Sequence, residues 1–251
     1  MAVEKTSKIV VVMPAYNAAS TLERTYQDIP AGAVDEVILV DDGSHDDTRE
    51  IAARLGIHVI RHAENRGYGG NQKTCYTEAL ARGADIVIMV HPDFQYDSRL
   101  VSFFSGFIEM DICDVMLGSR IRTRKEALAG GMPVVKYFVN RGLTLLMNVV
   151  LGQNLADCHS GFRAYRRQVL ETINYEQNAD DFSFDAEVIA QVAAAGFRTG
   201  EAPMPVRYFA DASSIGFKDG VVYSFKILNV LMKYLLYRLK LYHGRLFRIA
   251  E

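Results

Sequence analysis

Apolar segments of strand length alternate with helical segments through the first hundred residues, and this alternation constrains the fold more than any other feature of the chain. Repeated β-α-β spacing predicts an α/β protein with a mostly parallel sheet, right-handed crossovers and helices on the faces of the sheet. Ligands of such sheets bind beyond the carboxyl ends of the strands. The predicted strands are Lys8–Met13, Glu36–Val40, Ile57–Arg61 and Ile86–Val90.

Helix-capping signals fall between these strands. Ser20 and Glu23 have the spacing of a capping box, and Ser44–Asp47 can cap a helix that stops at Gly56. The segment Gly69–Arg82 predicts a third helix. The second half predicts strands at Val115–Gly118, near Phe162–Tyr165 and ending at Arg207, and helices near Pro133–Leu151 and Phe184–Ala195.

Length and charge limit the class of protein. A chain of 251 residues with 49% hydrophobic composition can form one α/β domain with an appendage, which we expect at residues 1–212 and 213–251. The net charge of −2 gives no overall attraction to nucleic acid, so no such partner is expected. The three cysteines lack C-x-x-C spacing and no signal peptide is visible, which favours the cytoplasm.

Three polar loops follow predicted strands and should meet at one edge of the sheet: Pro14–Asn17, Asp41–Ser44 and His91–Gln95. His91, Asp93 and Gln95 are spaced by two, so they would converge if the chain stayed extended through this loop. Such a group could hold Mn²⁺ or Mg²⁺ with positions open for substrate phosphates. The alternative is an ordinary polar loop with a buried histidine and an aspartate that caps the next helix.

Several common motifs are excluded. The glycines of Gly67–Gly70 lack the spacing of a dinucleotide loop and follow the third strand, whereas that loop follows the first. The sequence contains no phosphate loop of the G-x-x-x-x-G-K-[ST] type, no G-x-S-x-G elbow and no H-E-x-x-H helix. Hydrolase and P-loop functions therefore lose their usual support.

Five blocks resemble the inverting family-two glycosyltransferases of GT-A fold, especially the dolichyl-phosphate mannose or glucose synthase branch. The blocks are Val11–Asn17, Val40–Ser44 with Asp46, Asn65–Gly67, His91–Gln95 and Asp157–Arg163. Their order and spacing match from about residue 8 to residue 210. The resemblance implies a nucleotide-sugar donor, bound around Pro14, Ala15, Tyr16, Asn17, Asp42, His91, Pro92 and Asp93.

The resemblance also implies a divalent metal site, because the family's D-x-D-x-Q motif corresponds to His91, Asp93 and Gln95. The first aspartate of that motif is missing here. His91 could bind metal through a neutral ring nitrogen, which suits Mn²⁺ better than Mg²⁺, or could hydrogen-bond the ribose. The first loop departs too, since Ala18 follows Asn17 where the family often has an acidic residue.

Basic and acidic residues in the second half are candidates for phosphate binding and catalysis. Arg120 matches the family's G-[ST]-R segment and should bind donor or acceptor phosphate, with Ser160 and Arg163 as further contacts. Both arginines could instead be surface ion-pair partners. Asp157 could act as the base for a hydroxyl acceptor, whereas a lipid-phosphate acceptor is already ionised and needs no strong base. Glu187 is a weaker acceptor-side candidate.

The C-terminal segment is basic and amphipathic. From Lys218 to Arg248 there are seven basic residues and one acidic residue. Apolar residues between Phe225 and Tyr242 recur at three- and four-residue steps, typical of a helix with a wide apolar stripe. The stripe could pack on the core or on a second subunit as a homodimer, or lie in an anionic membrane surface. Protein packing is the preferred interpretation, with the basic ends near a membrane.

Together these features predict a hexosyltransferase that moves a sugar from a nucleoside-diphosphate sugar to a polyprenyl phosphate with inversion, at the cytoplasmic face of a membrane. Three alternatives remain: a sugar hydroxyl as acceptor, a sugar-phosphate nucleotidyltransferase, and a degenerate nucleotide-sugar sensor. The nucleotidyltransferase would need a Gly- and Arg-rich loop after the first strand, where this chain has Pro-Ala-Tyr-Asn.

Overall fold

The computed structural model describes residues 7–120, 123–129, 133–207 and 217–248. Within these residues, seven strands form one sheet in the order β3-β2-β1-β4-β6-β5-β7. β6 runs antiparallel to β4 and β5, and the other pairs are parallel. The strands are β1 Ile9–Ala15, β2 Glu36–Asp41, β3 His58–Arg61, β4 Ile86–Met89, β5 Val115–Ser119, β6 Arg163–Arg166 and β7 Thr199–Pro203.

Helices cover both faces of the sheet, so the central strands are apolar on both sides. In β1, Val10 and Val12 face a core shared with α3, α6, α8 and α9, while Ile9, Val11 and Met13 face a core shared with α1, α2 and α4. The helices are α1 Leu22–Gln27, α2 Thr48–Arg54, α3 Gly67–Ala81, α4 Val101–Glu109, α5 Arg124–Ala129, α6 Val134–Leu151, α7 Arg167–Thr172, α8 Phe184–Ala195 and α9 Phe217–Arg238.

The strand register brings the polar loops together. Ala15 at the end of β1 pairs with Asp41 at the end of β2, and Val12 pairs with Met89 at the end of β4. The loops after β1, β2 and β4 therefore leave the same edge of the sheet, as predicted.

Some local predictions were wrong. The Ser20–Glu23 capping box does not form: α1 begins at Leu22, and the cap residue Thr21 makes no side-chain cap bond. The Thr21 hydroxyl donates instead to the Pro92 carbonyl at 2.6 Å, which ties α1 to the loop after β4. The last strand ends at Pro203 rather than at Arg207, and beyond it Val206 makes an isolated bridge to Tyr96.

The C-terminal helix α9 has two apolar faces. Ile227, Val230, Leu231 and Tyr234 are buried in the core beside α6 and α8. The predicted stripe is thus divided, with Leu231 inside and much of the rest outside. The large apolar side chains left exposed on α9 are Val221, Val222, Phe225, Leu228, Met232 and Leu235. The predicted boundary at residues 212–213 lies outside the described residues.

Candidate active site

The first two loops are joined side by side at the sheet edge. The Asn17 amide donates to the Ser44 hydroxyl at 2.8 Å, and the His45 amide donates to the Asn17 side-chain oxygen at 2.9 Å. Asn17 adopts a left-handed conformation with φ of 50°, which asparagine tolerates better than most residues. Tyr16 remains 52% exposed between these contacts. An exposed ring on a fixed loop can stack against a planar base.

Asp42 is buried and accepts three hydrogen bonds. The donors are His62 Nδ1 at 2.7 Å, the Arg66 amide at 2.9 Å and the Gly67 amide at 3.1 Å. Its carboxylate thus fixes the Asn65–Gly67 block against the end of β2. These bonds satisfy most of its capacity, and its contact with the nucleotide stays a prediction.

The loop after β4 turns rather than continuing as a strand, so the extended conformation on which the predicted convergence of His91, Asp93 and Gln95 depended does not occur. Phe94 is left-handed with φ of 56°, and the Gln95 amide donates to Asp93 Oδ1 at 3.1 Å. The guanidinium carbons of Arg24 and Arg207 each lie 4.1 Å from the centre of the Phe94 ring. The two arginines packed on Phe94 therefore hold the turn, and the hydrogen bond from the Gln95 amide to the Asp93 carboxylate stabilises it further.

His91 lies against Tyr68 of α3. Their rings are stacked with centroids 5.4 Å apart and 5° between the planes, and Tyr68 Oη is 3.3 Å from His91 Nε2. Burial lowers the pKa of His91, although the charge of Asp93 opposes this change. The ring is therefore neutral near pH 7 and retains one unprotonated nitrogen.

Arg163 is 1% exposed, which does not support its predicted contact with phosphate. Its guanidinium donates to the carbonyls of Ser160 at 2.8 Å, Asp185 at 3.1 Å and Cys158 at 3.3 Å. Ser160 is also buried, and its hydroxyl donates to the Gly118 carbonyl. Both residues therefore shape the loop before β6 rather than facing a ligand.

Arg120 and Asp157 form a buried bidentate pair. Arg120 Nε donates to Asp157 Oδ2 at 2.7 Å and a terminal nitrogen donates to Oδ1 at 2.9 Å. Burial alone would raise the pKa of Asp157, but the charge and hydrogen bonds of Arg120 hold it well below its usual range. Lys136 of α6 is close enough to feel both charges, and burial lowers its pKa. Lys136 thus interacts electrostatically with both members of the pair.

The same loop is connected to the C-terminal helix. His159 Nδ1 lies 3.0 Å from the hydroxyl of Tyr223 on α9. Burial lowers the pKa of His159 to about 4, despite the opposing charge of Asp157. The neighbouring amides of Ala156 and Asp157 donate to Glu201 at 2.7 and 2.8 Å. β7 and α9 therefore both help to position Asp157.

Sequence reasoning missed Tyr68, His62, Asp185, Lys136 and Tyr223. Tyr68 lies inside the Gly67–Gly70 segment that was dismissed as a dinucleotide loop. Those glycines have a packing cause, since a Cβ on Gly69 would lie 2.2 Å from the Ala179 carbonyl oxygen. Glu187, the weaker acceptor-side candidate, accepts a hydrogen bond from the Ala179 amide at 2.7 Å. It therefore helps to hold Ala179 close to Gly69.

The mixed sheet and the polar loops gathered at the ends of β1, β2 and β4 define a GT-A-type nucleotide-sugar enzyme. The chain belongs to glycosyl transferase family 2, whose sequence model matches residues 10–173. It is therefore a glycosyltransferase, as the five motif blocks predicted.

Named relatives and solved structures agree with this assignment. A UDP-N-acetylglucosamine–dolichyl-phosphate N-acetylglucosaminyltransferase of Methanococcus voltae is 26% identical, over 89% of this chain and 94% of that protein. A dolichyl-phosphate hexose transferase of Haloferax volcanii is 29% identical, over 90% and 94%. Glucosyl-3-phosphoglycerate synthase from Mycobacterium tuberculosis, solved with Mn²⁺, UDP and glucosyl-3-phosphoglycerate, matches with a TM-score of 0.68 at 21% identity, over 93% of this chain and 80% of that one. That likeness confirms the fold.

Proposed function

We propose that this glycosyltransferase moves a sugar from a nucleoside-diphosphate sugar to a polyprenyl phosphate, inverting the anomeric centre in one displacement. The observation that carries the proposal is the Arg120–Asp157 pair. A carboxylate held ionised by a bidentate arginine is a weak base, because its proton affinity is low. An acceptor phosphate already carries its charge and needs no base. The names of the Methanococcus and Haloferax relatives support this acceptor class.

The residues would divide the work by charge. Tyr16 and Asn17 would bind the nucleotide at the edge of β1, while Arg120 and Lys136 would orient and partly neutralise the acceptor phosphate. Asp157 would hold the Arg120 guanidinium in place for this contact. The acceptor oxygen would then attack the anomeric carbon opposite the departing nucleoside diphosphate.

A divalent cation fits the loop after β4. Within the described residues no group of three or more His, Cys, Asp or Glu side chains is gathered as a metal cage. Asp93, Gln95 and His91 instead offer a carboxylate, an amide and a ring nitrogen on one loop. Such a partial set suits Mn²⁺ or Mg²⁺ that takes its other ligands from a diphosphate. When bound, the cation would stabilise the negative charge on the leaving diphosphate.

The apolar faces of α6 and α9 would bring the enzyme to its lipid acceptor. The two helices contact each other, and α6 exposes Val134, Val135, Phe138, Val139, Leu145, Leu146 and Val149. α6 is the one helix of the described residues whose length and composition would allow a membrane span, although a third of it is buried in the protein. Exposed basic residues lie on α5, on α6, at the end of α9 and in the segment that follows it: Arg124, Lys125, Arg141, Arg238, Lys240, Arg245 and Arg248. This pattern fits peripheral contact with an anionic cytoplasmic leaflet.

The direct test is a donor and acceptor panel. UDP-, GDP- and CDP-sugars with Mn²⁺ would be incubated with polyprenyl phosphate in detergent, with free sugars as the alternative acceptor. Radiolabelled sugar entering the lipid phase, with inverted configuration by NMR, is the expected result. Transfer to the free sugar alone would favour the hydroxyl acceptor. Formation of a nucleoside triphosphate and sugar 1-phosphate when pyrophosphate is added to the donor would favour a nucleotidyltransferase, and binding without turnover a sensor.

A further inference from the structure

A buried relay reaches His91 from α8. Asp185 on the first turn of α8 lies 3.5 Å from the Arg163 guanidinium and accepts from Gln72 Nε2 at 3.3 Å. Tyr68 donates its hydroxyl proton to the second oxygen of Asp185 at 2.8 Å. A carboxylate so placed accepts strongly, and a tyrosine has one hydroxyl proton to donate.

That direction determines which proton His91 carries. Because the Tyr68 proton points to Asp185, the Tyr68 oxygen can only accept from the ring 3.3 Å away, so His91 Nε2 must carry the hydrogen. A neutral imidazole protonated at Nε2 has its lone pair on Nδ1. Nδ1 makes no hydrogen bond to any residue in the described part of the chain.

Gly161 lies close to the Nε2 edge of the His91 ring. A Cβ on Gly161 would lie 2.6 Å from both Nε2 and Cδ2 of His91, and 3.4 Å from the Tyr68 hydroxyl oxygen. Any larger residue at position 161 would force the imidazole to shift. The ring is therefore closely packed by Gly161 as well as by Tyr68, so its orientation is restricted by packing as well as by hydrogen bonding.

We propose that Asp185, Tyr68 and Gly161 are positioning residues that present His91 Nδ1 as a ligand to the divalent cation beside Asp93. The inference rests on the proposed function for the metal. A ligating histidine is commonly oriented by an acceptor on its other nitrogen, and here a tyrosine relays the carboxylate. Replacing a carboxylate of the family motif by a neutral nitrogen removes one charge and shifts the preference from Mg²⁺ towards Mn²⁺.

The tautomer can be tested without metal or turnover. In the ¹⁵N-labelled full chain at pH 8, the ¹⁵N shifts of His91, assigned by comparison with His91→Asn, should show a protonated Nε2 and an unprotonated Nδ1. Tyr68→Phe should leave a mixture of tautomers. A wild-type ring protonated on Nδ1 would overturn the inference, whatever the enzyme transfers.

Metal binding gives the second test. Tyr68→Phe keeps the stacked ring and should weaken Mn²⁺ binding, measured by electron paramagnetic resonance with UDP present, by about 10-fold or more. Tyr175→Phe is the matched control, because it removes a hydroxyl that bonds Thr77 away from the site at 3.1 Å. An unchanged Mn²⁺ affinity in Tyr68→Phe would contradict the relay.

The two amide replacements of His91 identify the ligand atom. Asparagine places its amide oxygen near the position of Nδ1, and glutamine places it near Nε2. His91→Asn should therefore retain more Mn²⁺ affinity than His91→Gln, with both variants checked for an unchanged melting temperature. The opposite order would assign the metal to Nε2 and exclude the relay.

Discussion

Arg120 and Asp157 bury opposite charges together at the place proposed for the acceptor phosphate. Asp157 is fully buried, and its partner Arg120 is only 9% exposed in the side chain. Removing either member leaves an uncompensated charge, so the two substitutions differ in what they leave behind. Losing Asp157 leaves a cation that a phosphate can pair with. Losing Arg120 leaves an anion that repels it.

The relative loss of turnover in variants of Arg120 and Asp157 therefore distinguishes the two acceptor classes. With a polyprenyl phosphate, Arg120→Ala should lower turnover by at least about 10²-fold, because it removes a charge-stabilising donor. Asp157→Asn should cost much less. Arg120→Lys is the control that keeps charge without the bidentate geometry. If Asp157→Asn were the more damaged enzyme, by the roughly 10²–10⁴-fold typical of a lost general base, a hydroxyl acceptor would be the better assignment.

Asp93 gives a residue-level prediction for the metal. Mn²⁺ should tighten the binding of a nucleoside diphosphate, and Asp93→Asn should abolish that increment because the amide carries no charge. Its fold should survive, since the amide oxygen can still accept the Gln95 amide. Calorimetry with UDP, in Mn²⁺ and in chelator, measures the difference. Equal wild-type affinities in the two conditions would refute the metal assignment.

A companion variant restores the family pattern at the neighbouring position. His91→Asp should keep or raise turnover supported by Mg²⁺, because a carboxylate suits that cation better than imidazole does. Initial rates in Mg²⁺ and in Mn²⁺ would be compared. A large loss in both would show that His91 has a role that aspartate cannot fill.

His159 should make the folded state sensitive to acid. Its pKa is about 4 in the folded protein, whereas an unfolded histidine titrates near 6.5. Between these values the unfolded chain binds more protons, so stability must fall as the pH is lowered from about 6.5 to 4, by about 1 kcal/mol per pH unit. Urea unfolding should show a shallower pH slope in His159→Asn than in the wild type or in the exposed control His243→Asn. Equal slopes would contradict the buried neutral ring.

At the scale of elements, α9 serves two surfaces with one amphipathic pattern. Its inner face packs beside α6 and α8, and Tyr223 reaches the Asp157 loop through His159. Its outer face stays apolar and exposed. The inner face therefore accounts for packing on the core, and the outer face remains available for a second subunit or a membrane surface.

A pair of leucines on α9 separates the two faces. Leu231 is 3% exposed and Leu235 is 41% exposed. Leu231→Ala should lower the free energy of unfolding by about 2–5 kcal/mol through the cavity it creates, while Leu235→Ala should change it by about 0.5 kcal/mol or less. Truncation after about residue 220 should aggregate the protein for the same reason. Chemical denaturation measures both leucine variants, and equal losses would contradict the packing of α9.

At the scale of the whole molecule, α6 links the candidate active site to the exposed apolar side chains of α6 and α9. α6 carries Lys136, which interacts electrostatically with Arg120 and Asp157, and also presents Phe138 and Val149 to solvent. A lipid phosphate whose chain lies along the α6–α9 surface could bring its head group to the Arg120 region. Exposed apolar area of this extent on two adjacent helices marks an interaction surface.

Vesicle binding tests this surface. Burying a phenylalanine contributes about 1.5–3 kcal/mol, so Phe225→Ser should weaken binding to vesicles containing phosphatidylglycerol by about 10-fold or more. Phe103→Ser is the control, because Phe103 is also exposed but lies on α4, on the other face of the sheet. Cosedimentation measures the bound fraction. A wild-type dimer that Phe225→Ser dissociates, with no vesicle binding, would assign the outer face of α9 to a second subunit.

The sequence by itself determined the parts of this protein that depend on local pattern and order along the chain. Apolar runs with intervening helix signals gave the α/β class and most strand positions. The order of five short blocks gave the family, because each block needs particular residues at fixed spacing. The same comparison showed that His91 replaces the first aspartate of the family's D-x-D-x-Q motif.

Only the tertiary structure decided which groups surround each of these side chains. Arg163 looked equivalent to Arg120 in sequence, yet one is enclosed by backbone carbonyls and the other pairs with Asp157. Tyr68 and Asp185 lie 117 residues apart and meet only because α3 and α8 pack on the same face of the sheet. Long-range packing sets burial, and burial sets both proton affinity and exposure, so no local pattern could assign those roles.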